Sequence, residues 1–465
     1  MLASILQKRL PRAGPMRISV LFQIGVFPSA QRRARGANAR AKFSRGEGFA
    51  LTHRVECNKK SRRNWSSAGV ALVAVCRAMS SAKLGILGYD HFHFCVEDLE
   101  RSGVFYTQKL GMSEVAKATD DFIARSGQRS KVYGAGQVRV CVSTKVTQKS
   151  KASRYLSRHP SGVMSVGFRV ENLDETMEFL DRRGGTFLQD PVEAFDDRGG
   201  HYRSVEIATA IGDVAFRFIE KTNYRNFAPG FEDVGLGNEA AVPNEFGISQ
   251  IDHITSNGYT MQPIVSWYKE VLGFEPFWEI SFHTKDIAAE RASGSGLRSI
   301  VMWDPASGIK FATNEPLRPF YRDSQIAKFV DANAGAGVQH IAFAVPNIIS
   351  TIETLRGRSV EFLNTPKSYY EDLPERLANL GITNVREELA ELERLQILVD
   401  GANDRYMLQI FLREACTLYA DDRAGPFFYE IIQRAGDPGF GYGNFRALFE
   451  SIERAQRAEK TRAAT

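Results

Sequence analysis

The sequence contains few cysteines, and these are scattered. Its 465 residues include five, at Cys57, Cys76, Cys95, Cys141 and Cys416, with no C-x-x-C pair. An odd number at wide spacing excludes a disulfide framework and a zinc-finger pattern, and it suits a reducing compartment. We therefore interpret the five residues as isolated thiols.

Long apolar runs are also absent from the sequence. The best candidate, Ala68 to Cys76, contains nine residues. A helix that crosses a membrane needs about 20 predominantly apolar residues, so the sequence predicts no membrane span.

Acidic residues are nearly missing from the first 80 positions, which contain 16 Lys and Arg but only Glu47 and Glu56. The other 385 residues carry 44 basic and 52 acidic side chains, so a nucleic-acid-binding surface is not expected there. The Arg-, Ser- and Ala-rich composition of residues 1–80 is typical of organelle transit peptides. A start at Met79 is the alternative. We expect a cytoplasmic protein, or a mitochondrial or plastid one if the extension is a transit peptide.

The rest of the chain repeats itself. The segment DHFHFCVEDL from Asp90 matches DHITSNGYTM from Asp252 at an offset of 162. A second segment, GVMSVGFRVENL from Gly162, matches GVQHIAFAVPNI from Gly337 at an offset of 175. Matches in the same order along the chain indicate two homologous halves.

Each half in turn contains two similar units. A short apolar strand is followed by an amphipathic helix that ends in glycine, as in ERSGVFYTQKLG, and then by runs with period-two alternation, as in RVCVSTKV. These patterns predict an α+β fold of four βαβββ modules, paired into two open β-barrel domains, with a C-terminal helix packed by its apolar face. The predicted divisions are a disordered or targeting extension (1–80), a first barrel without a complete metal site (81–224), a linker (225–246), a second, catalytic barrel (247–443), and a C-terminal helix and tail (444–465).

Three residues in the second half are candidate metal ligands. His253, His340 and Glu430 lie in the short strand-like segments DHI, QHIAFAV and FFYEIIQ. A lone histidine on an apolar strand is usually a core residue, but repeat symmetry puts all three at equivalent points of the modules. Two neutral imidazoles and one carboxylate could occupy one face of an octahedral Fe(II) and leave three positions open. The net positive charge of such a site favours an anionic, bidentate substrate.

The first half offers an internal comparison. The tripeptide FIE matches FYE at an offset of 210, so the expected counterparts of the three ligands are His91, Ser165 and Glu220. Because one imidazole is replaced by serine, we expect the first barrel to hold no iron.

Five segments of the second half carry a resemblance to a known family. The chain resembles the 4-hydroxyphenylpyruvate dioxygenases, within the vicinal-oxygen-chelate superfamily, over about residues 85–458. The segments are SQIAKF at Ser324, GAGVQHIAFAV at Gly335, LQIF at Leu408, FFYEIIQR at Phe427 and GFGYGNFRALFESIE at Gly439.

The resemblance implies an Fe(II) enzyme, with one ion per subunit, that converts 4-hydroxyphenylpyruvate and O2 to homogentisate and CO2 in tyrosine and phenylalanine catabolism. It implies His253, His340 and Glu430 as metal ligands, and a homodimer or homotetramer. Phe411 and Phe428 are expected to sandwich the aromatic ring, and the C-terminal helix is expected to lie over the active site. The other substrate-binding residues implied are Ser299, Asn314, Gln325, Gln339, Gln409, Phe440, Asn444 and Phe445.

Two further expectations follow from local patterns. Strand alternation predicts that the Gln339 side chain points away from its neighbour His340. The charged stretch between Asn364 and Gly401 predicts a solvated helical region.

Other functions remain open at this point. A 4-hydroxymandelate synthase would share the fold, metal and substrate but hydroxylate the benzylic carbon. An extradiol dioxygenase would use the same ligands but would need an acid–base pair that the remaining histidines do not obviously supply. A non-catalytic aromatic-acid-binding protein of the same fold is the alternative from another class.

Overall fold

The structure is a computed structural model, and it describes residues 83–234, 242–283, 296–317, 324–441 and 443–444. The expectations for residues 1–80, for Phe445 and for nearly all of the C-terminal helix lie outside these ranges. In the described residues, no helix has the length and apolar character that crossing a membrane requires.

The first half forms a nine-stranded sheet in the order β6-β7-β8-β5-β1-β4-β3-β2-β9. Its strands are β1 (Ile86–Cys95), β2 (Ser113–Ala118), β3 (Gln128–Ala135), β4 (Val138–Lys145), β5 (Gly162–Val170), β6 (Val192–Phe195), β7 (His201–Ala208), β8 (Ala215–Thr222) and β9 (Phe231–Asp233).

The second half forms an eight-stranded sheet in the order β11-β12-β13-β10-β14-β17-β16-β15. Its strands are β10 (Gln250–Asn257), β11 (Glu275–His283), β12 (Gly296–Trp303), β13 (Lys310–Pro316), β14 (Gly337–Ala344), β15 (Leu398–Ala402), β16 (Arg405–Phe411) and β17 (Phe428–Ala435).

Short helices connect the strands. Two of them, Leu99–Val104 and Gln262–Trp267, continue into a π-helical turn, at Phe105–Lys109 and Tyr268–Leu272 respectively. The helices are α1 (Leu99–Val104), α2 (Asp120–Ser126), α3 (Lys151–Leu156), α4 (Leu173–Arg182), α5 (Gln262–Trp267), α6 (Gln325–Ala332), α7 (Ile348–Gly357), α8 (Lys367–Glu371), α9 (Leu373–Asn379), α10 (Leu389–Leu395), α11 (Ala415–Tyr419) and a 3₁₀ turn (Asp422–Ala424).

The two sheets repeat one pattern of strand pairing. Within each module the first and last strands pair in parallel, as β1 does with β4 and β14 with β17. The two modules of a half join through antiparallel pairs of their first strands, β1 with β5 and β10 with β14. This arrangement confirms the predicted fold class, four βαβββ modules in two curled half-barrel sheets.

The repeat extends to the starts of the helices. Asn172 caps α4 by accepting hydrogen bonds from the backbone N–H groups of Asp174 and Glu175. Asn347 caps α7 by accepting from the N–H of Ser350. A side-chain oxygen at this position satisfies a donor that the first helical turn leaves unpaired, so the two asparagines fix equivalent helix starts.

Aromatic side chains pack the two halves together. The Phe216 and Phe311 rings, one from each half, have centroids 5.3 Å apart, and the Tyr106 hydroxyl lies 2.6 Å from that of Tyr429. All four side chains are buried. Rings of this size contribute most of the apolar area in such a core, so the halves share one hydrophobic interior.

The stretch between Asn364 and Gly401 is not the solvated region expected from its charges. It forms α8, α9 and α10, and Tyr369, Leu373 and Leu392 are buried against the core. Charged residues are frequent in this stretch, but apolar residues alternate with them and turn towards the core in each short helix. The segment is therefore part of the packed second half.

Candidate metal centre

Three buried side chains converge from consecutive strands of the second sheet. His253 lies on β10, His340 on β14 and Glu430 on β17, and these strands are neighbours in that order. Glu430 Oε2 lies 3.2 Å from His253 Nε2 and 3.5 Å from His340 Nε2. Each side chain can offer one ligand atom such that all three atoms lie within 4.8 Å of one another. Sheet order thus brings together residues up to 177 positions apart.

These distances fit a shared metal ion. Two ligand atoms that each lie about 2.1 Å from an octahedral ion are about 3 Å apart when they occupy neighbouring positions. Glu430 Oε1 is buried and has no hydrogen-bond partner among the described residues. An orphaned carboxylate oxygen in an apolar interior is costly unless a cation or donor meets it. The two imidazoles and one carboxylate are therefore a donor set that suits a divalent first-row metal.

The charges of the three side chains depend on one another. Burial disfavours a protonated His253, but the carboxylates of Glu430 and Asp252 outweigh it and raise the pKa of His253 to about 9. Burial likewise opposes ionisation of Glu430, yet the neighbouring imidazoles hold its pKa below the usual range. Burial lowers the pKa of His340. Glu430 thus requires positive charge beside it, which a divalent ion would supply in place of a proton on His253.

Each candidate ligand histidine is hydrogen-bonded by the residue that precedes it. Asp252 Oδ1 accepts a hydrogen bond from His253 Nδ1 at 2.8 Å, and Gln339 Oε1 lies 3.1 Å from His340 Nδ1. The β10–β14 pairing shifts register at Asp252 and again at Gln339. A β-bulge re-aims side chains, so neighbours that would alternate can face the same way. The expectation that Gln339 points away from His340 is wrong for this reason.

A buried ion pair lies behind His253. Arg434 Nε and Nη2 each donate to the Asp252 carboxylate at 2.6 Å. Burial opposes ionisation of Asp252, but these bonds and that from His253 hold the pKa of Asp252 well below its usual range. The sequence comparison aligned Asp252 with Asp90 without assigning either a role. The repeated Asp-His pair was the available signal.

Four predicted pocket residues carry polar atoms that are buried and lack a hydrogen-bond partner in the described part of the chain. They are Ser299 Oγ, Asn314 Oδ1, Gln409 Oε1 and Asn444 Nδ2. A buried polar atom that is left unpaired costs about 1–3 kcal/mol. Unpaired acceptors and donors at these positions are what a polar ligand would satisfy.

Gln325 and Gln339 already pair with each other. Gln339 Nε2 donates to Gln325 Oε1 at 3.2 Å, while Gln339 Oε1 faces His340. Gln325 begins α6, whose start is capped by Ser324. The two amides therefore form a chain that ends on a ligand histidine.

Aromatic rings surround the two histidines. Phe428 stacks on His340 with centroids 5.0 Å apart, and Phe440 meets the His253 ring edge-on at 4.8 Å. The Phe411 and Phe428 rings lie 6.3 Å apart at 87°. They are perpendicular, so they do not form the parallel pair that the expected sandwich needs. Trp278, which sequence reasoning missed, stacks on Phe440 at 6.0 Å.

The first half has an arginine where the second half has its candidate carboxylate ligand. Glu430 is in register with Ala342 of β14, and the matching partner of Gly167 in β5 is Arg217. The expected counterpart, Glu220, instead accepts a hydrogen bond from the N–H of Leu173 at the start of α4. The correct offset between the two strands is 213, so the match of FIE with FYE was misleading.

Arg217 belongs to a charged group around the buried carboxylate of Glu206, in which the side chains of Arg217 and Lys151 are 22% and 44% exposed. Its Nη2 lies 3.2 Å from Glu206 Oε2, which also binds Lys151 Nζ at 2.8 Å. Burial opposes ionisation of Glu206, but the two cations outweigh it and lower its pKa to about 2. The first barrel therefore has a permanently charged guanidinium at the position where the second barrel has a candidate metal ligand.

Comparisons with known proteins place this geometry in context. The model of the glyoxalase/bleomycin resistance protein/dioxygenase superfamily matches residues 88–207 and 250–374. The chain is 34% identical over 376 residues to the 4-hydroxyphenylpyruvate dioxygenase of Dictyostelium discoideum, covering 79% of this chain and 98% of that protein. It is 35% identical over 380 residues to the protein of that name from Tetrahymena thermophila, covering 80% of this chain and 90% of that protein.

Solved structures share the fold. A mutant of 4-hydroxymandelate synthase from Streptomyces coelicolor aligns with a TM-score of 0.66 at 23% identity, over 80% of this chain and 99% of that one. A fusion of a xylose isomerase-like TIM barrel with 4-hydroxyphenylpyruvate dioxygenase aligns with a TM-score of 0.58 at 17% identity, over 80% of this chain and 53% of that one.

Proposed function

The chain belongs to the 4-hydroxyphenylpyruvate dioxygenase family of the glyoxalase/bleomycin resistance protein/dioxygenase superfamily, and we propose that it acts as an Fe(II) enzyme through His253, His340 and Glu430. It converts 4-hydroxyphenylpyruvate and O2 to homogentisate and CO2, by decarboxylation, ring hydroxylation and side-chain migration. The observation that carries the proposal is the buried triad with an orphaned Glu430 oxygen.

The metal would be held by one histidine from β10, one from β14 and the glutamate of β17. When bound, Fe(II) supplies open positions for the substrate and O2 and the redox chemistry that joins them. The protein sets the charge of the site. Because Asp252 is neutralised by Arg434, Glu430 remains the one uncompensated carboxylate, and a divalent ion leaves a net charge of about +1. An anionic α-keto acid is attracted to that charge.

The polar pocket residues would orient the rest of the substrate. Ser299, Asn314, Gln409 and Asn444 present unpaired donors and acceptors without a formal charge, which suits a neutral phenol that both donates and accepts. Phe411, Phe428 and Phe440 would contact the ring, where offset or edge contacts contribute about 1 kcal/mol each. We assign Gln325 and Gln339 to the same pocket, where they also brace His340. Phe445 completes the proposed set.

The buried site excludes bulk water from the reacting atoms. The side chains of His253, His340 and Glu430 are at most 5% exposed. Electrostatic interactions are stronger in such surroundings, so the charges of the substrate and the triad act on each other with little screening.

Several broader assignments belong to the same proposal. We propose one iron per subunit in a homodimer or homotetramer, and a cytoplasmic protein unless residues 1–80 direct it to mitochondria or plastids. The proposed division is an extension (1–80), a first barrel (81–224), a linker (225–246), a catalytic barrel (247–443) and a C-terminal helix (444–465). The linker is not wholly separate from the first barrel, because β9 (Phe231–Asp233) pairs with β2 at the edge of the first sheet. Within this division, the first barrel supports the catalytic one without binding iron.

One experiment tests the function directly. The apoprotein is loaded anaerobically with Fe(II), then mixed with 4-hydroxyphenylpyruvate and O2, and the product is identified by mass and chromatography. We expect homogentisate and CO2 in equal amounts. If 4-hydroxymandelate forms, the chain is a synthase with the same centre. If substrate binds but no O2 is consumed by iron-loaded protein, the chain is a binding protein and the proposal is wrong.

A further inference from the structure

Arg434 makes contacts on two sides of the candidate metal centre. It lies on β17 four residues after Glu430, so both side chains face the same side of the strand. Two of its nitrogens bind the Asp252 carboxylate, and the third, Nη1, donates to the backbone oxygens of Asp437 and Gly439 at 2.8 Å each. Its side chain is 19% exposed, so the guanidinium lies mostly within the protein.

The first set of contacts connects Arg434, through Asp252, to the proposed metal ligand His253. Asp252 Oδ1 receives one bond from Arg434 and one from His253 Nδ1. A carboxylate on Nδ1 fixes the tautomer and the angle of an imidazole whose Nε2 faces a metal, and it makes that nitrogen more basic. Since Arg434 grips both oxygens of Asp252, it sets the position of the carboxylate that orients His253.

The second set of contacts involves the turn that precedes Phe440, whose ring packs against His253. Asp437 and Gly439 form a tight turn, closed by a bond from the Gly439 N–H to Asp437 Oδ1 at 2.7 Å. Phe440 follows directly and packs edge-on against His253, with a 4% exposed side chain. The two carbonyls that Arg434 binds thus determine where Phe440 lies.

The first half contains an equivalent Asp-His pair that lacks the additional contacts made by Arg434. Asp90 binds His91 Nδ1 at 2.7 Å, as Asp252 binds His253, and Lys221 stands in the place of Arg434, 3.4 Å from Asp90. An ammonium lacks the planar fork that lets a guanidinium bind a carboxylate and two carbonyls together. The extended contacts therefore occur in the half that carries the ligand triad.

From these contacts we infer that Arg434 is a positioning residue, which fixes the His253 ring through Asp252 and fixes Phe440 against that ring through the carbonyls of Asp437 and Gly439. This rests on the proposed function, because it concerns the orientation of a metal ligand. A single guanidinium thereby aligns the ligand and the wall of the substrate pocket.

The test compares three variants with the wild-type protein. Asp252→Asn removes the charge behind His253, and Arg434→Lys keeps a cation for Asp252 but cannot also hold both carbonyls. Asp90→Asn is the matched control in the first half. For each, Co(II) affinity and the Co(II) absorption spectrum are measured on metal-free protein, followed by kcat and KM with Fe(II) and by circular dichroism.

We expect Asp252→Asn to weaken Co(II) binding about 10–100-fold and to change its absorption spectrum. Arg434→Lys is expected to weaken Co(II) binding about threefold, less than Asp252→Asn because the carboxylate keeps a cation, and to raise KM roughly tenfold because Phe440 is no longer fixed. Asp90→Asn should change neither.

The inference is overturned if Asp90→Asn weakens Co(II) binding as much as Asp252→Asn, because the role is then structural. It is also overturned if Arg434→Lys leaves KM unchanged, a comparison that stands even if Asp252→Asn does not fold. Wild-type protein that fails to bind Co(II) would instead refute the proposed metal site.

Discussion

Arg217 occupies in β8 the register position that Glu430 occupies in β17. The side-chain charge is therefore positive in the first half at the position where the second half has the candidate carboxylate ligand. The buried carboxylate of Glu206 pairs with Arg217 and with the more exposed Lys151. The two halves therefore have the same strand arrangement but opposite charges at this position, so the first needs an anion nearby and the second a cation.

Replacing Glu206 should destabilise the first half in a pH-dependent way. Its pKa is about 2 in the folded protein and about 4.5 when unfolded, so ionised Glu206 contributes stability above pH 4.5 that is lost as the pH falls towards 2. The difference corresponds to roughly 3 kcal/mol. We expect Glu206→Gln to lower the free energy of unfolding by about this amount at pH 7, and to show a flatter pH dependence between pH 4.5 and 2. Urea unfolding across this range measures both effects, and equal slopes for the two proteins would contradict the assignment.

Removing a ligand histidine should abolish metal retention without unfolding the protein. Loss of an outer-shell partner typically costs about 10–100-fold in metal affinity, and loss of the ligand His340 should cost more. We expect His340→Ala to lose iron during dialysis while keeping its circular dichroism spectrum. Ser165→Ala, at the corresponding place in the first sheet, is the control and should retain iron. A His340→Ala protein with wild-type iron content would exclude the triad.

The unpaired hydroxyl of Ser299 predicts opposite effects on stability and activity. Because Oγ is buried without a partner in the described residues, Ser299→Ala should raise the free energy of unfolding by about 1 kcal/mol. It should also lower kcat/KM roughly tenfold, since a substrate contact is lost. The register counterpart Ser130 hydrogen-bonds Ser143 at 2.6 Å, so Ser130→Ala should be destabilising. Thermal unfolding and steady-state kinetics decide the matter. A destabilised Ser299→Ala would mean that this hydroxyl is satisfied in the free enzyme.

The basic extension should be dispensable for catalysis. A protein that starts at Met79 retains every residue of the proposed site, and we expect its kcat/KM to lie within about twofold of that of the full chain. The comparison requires both proteins to be loaded with the same amount of iron. A larger loss would assign residues 1–78 a role in the folded enzyme.

The sequence could predict the fold class because each module repeats the same order of strand and helix patterns. His253 and His340 were identifiable because the blocks around them recur at constant offsets. Glu430 was identifiable because a carboxylate between FFY and II needs a partner. These features are local, so short segments of the sequence are enough to identify them.

The features that could not be predicted depend on strand register or on which face of a helix packs against the core. Arg217 was overlooked because the letters of FIE and FYE match at a shift of three residues from the true pairing. The orientation of Gln339 depends on a β-bulge, whose extra residue leaves no clear trace in the alternation. Likewise, burial of Tyr369 and Leu392 depends on which face of a short helix meets the core. Each is decided by partners distant along the chain.

The guanidinium of Arg217 has a consequence for how the protein is made. It is part of the polypeptide, so every chain leaves the ribosome with the cation of its first barrel already in place. The proposed ion of the second barrel must come from the cellular supply of iron. When iron is scarce, newly synthesised chains would therefore contain the Arg217 cation of the first barrel but lack the proposed ion of the second. The active fraction of the enzyme would then follow the supply of the proposed ion.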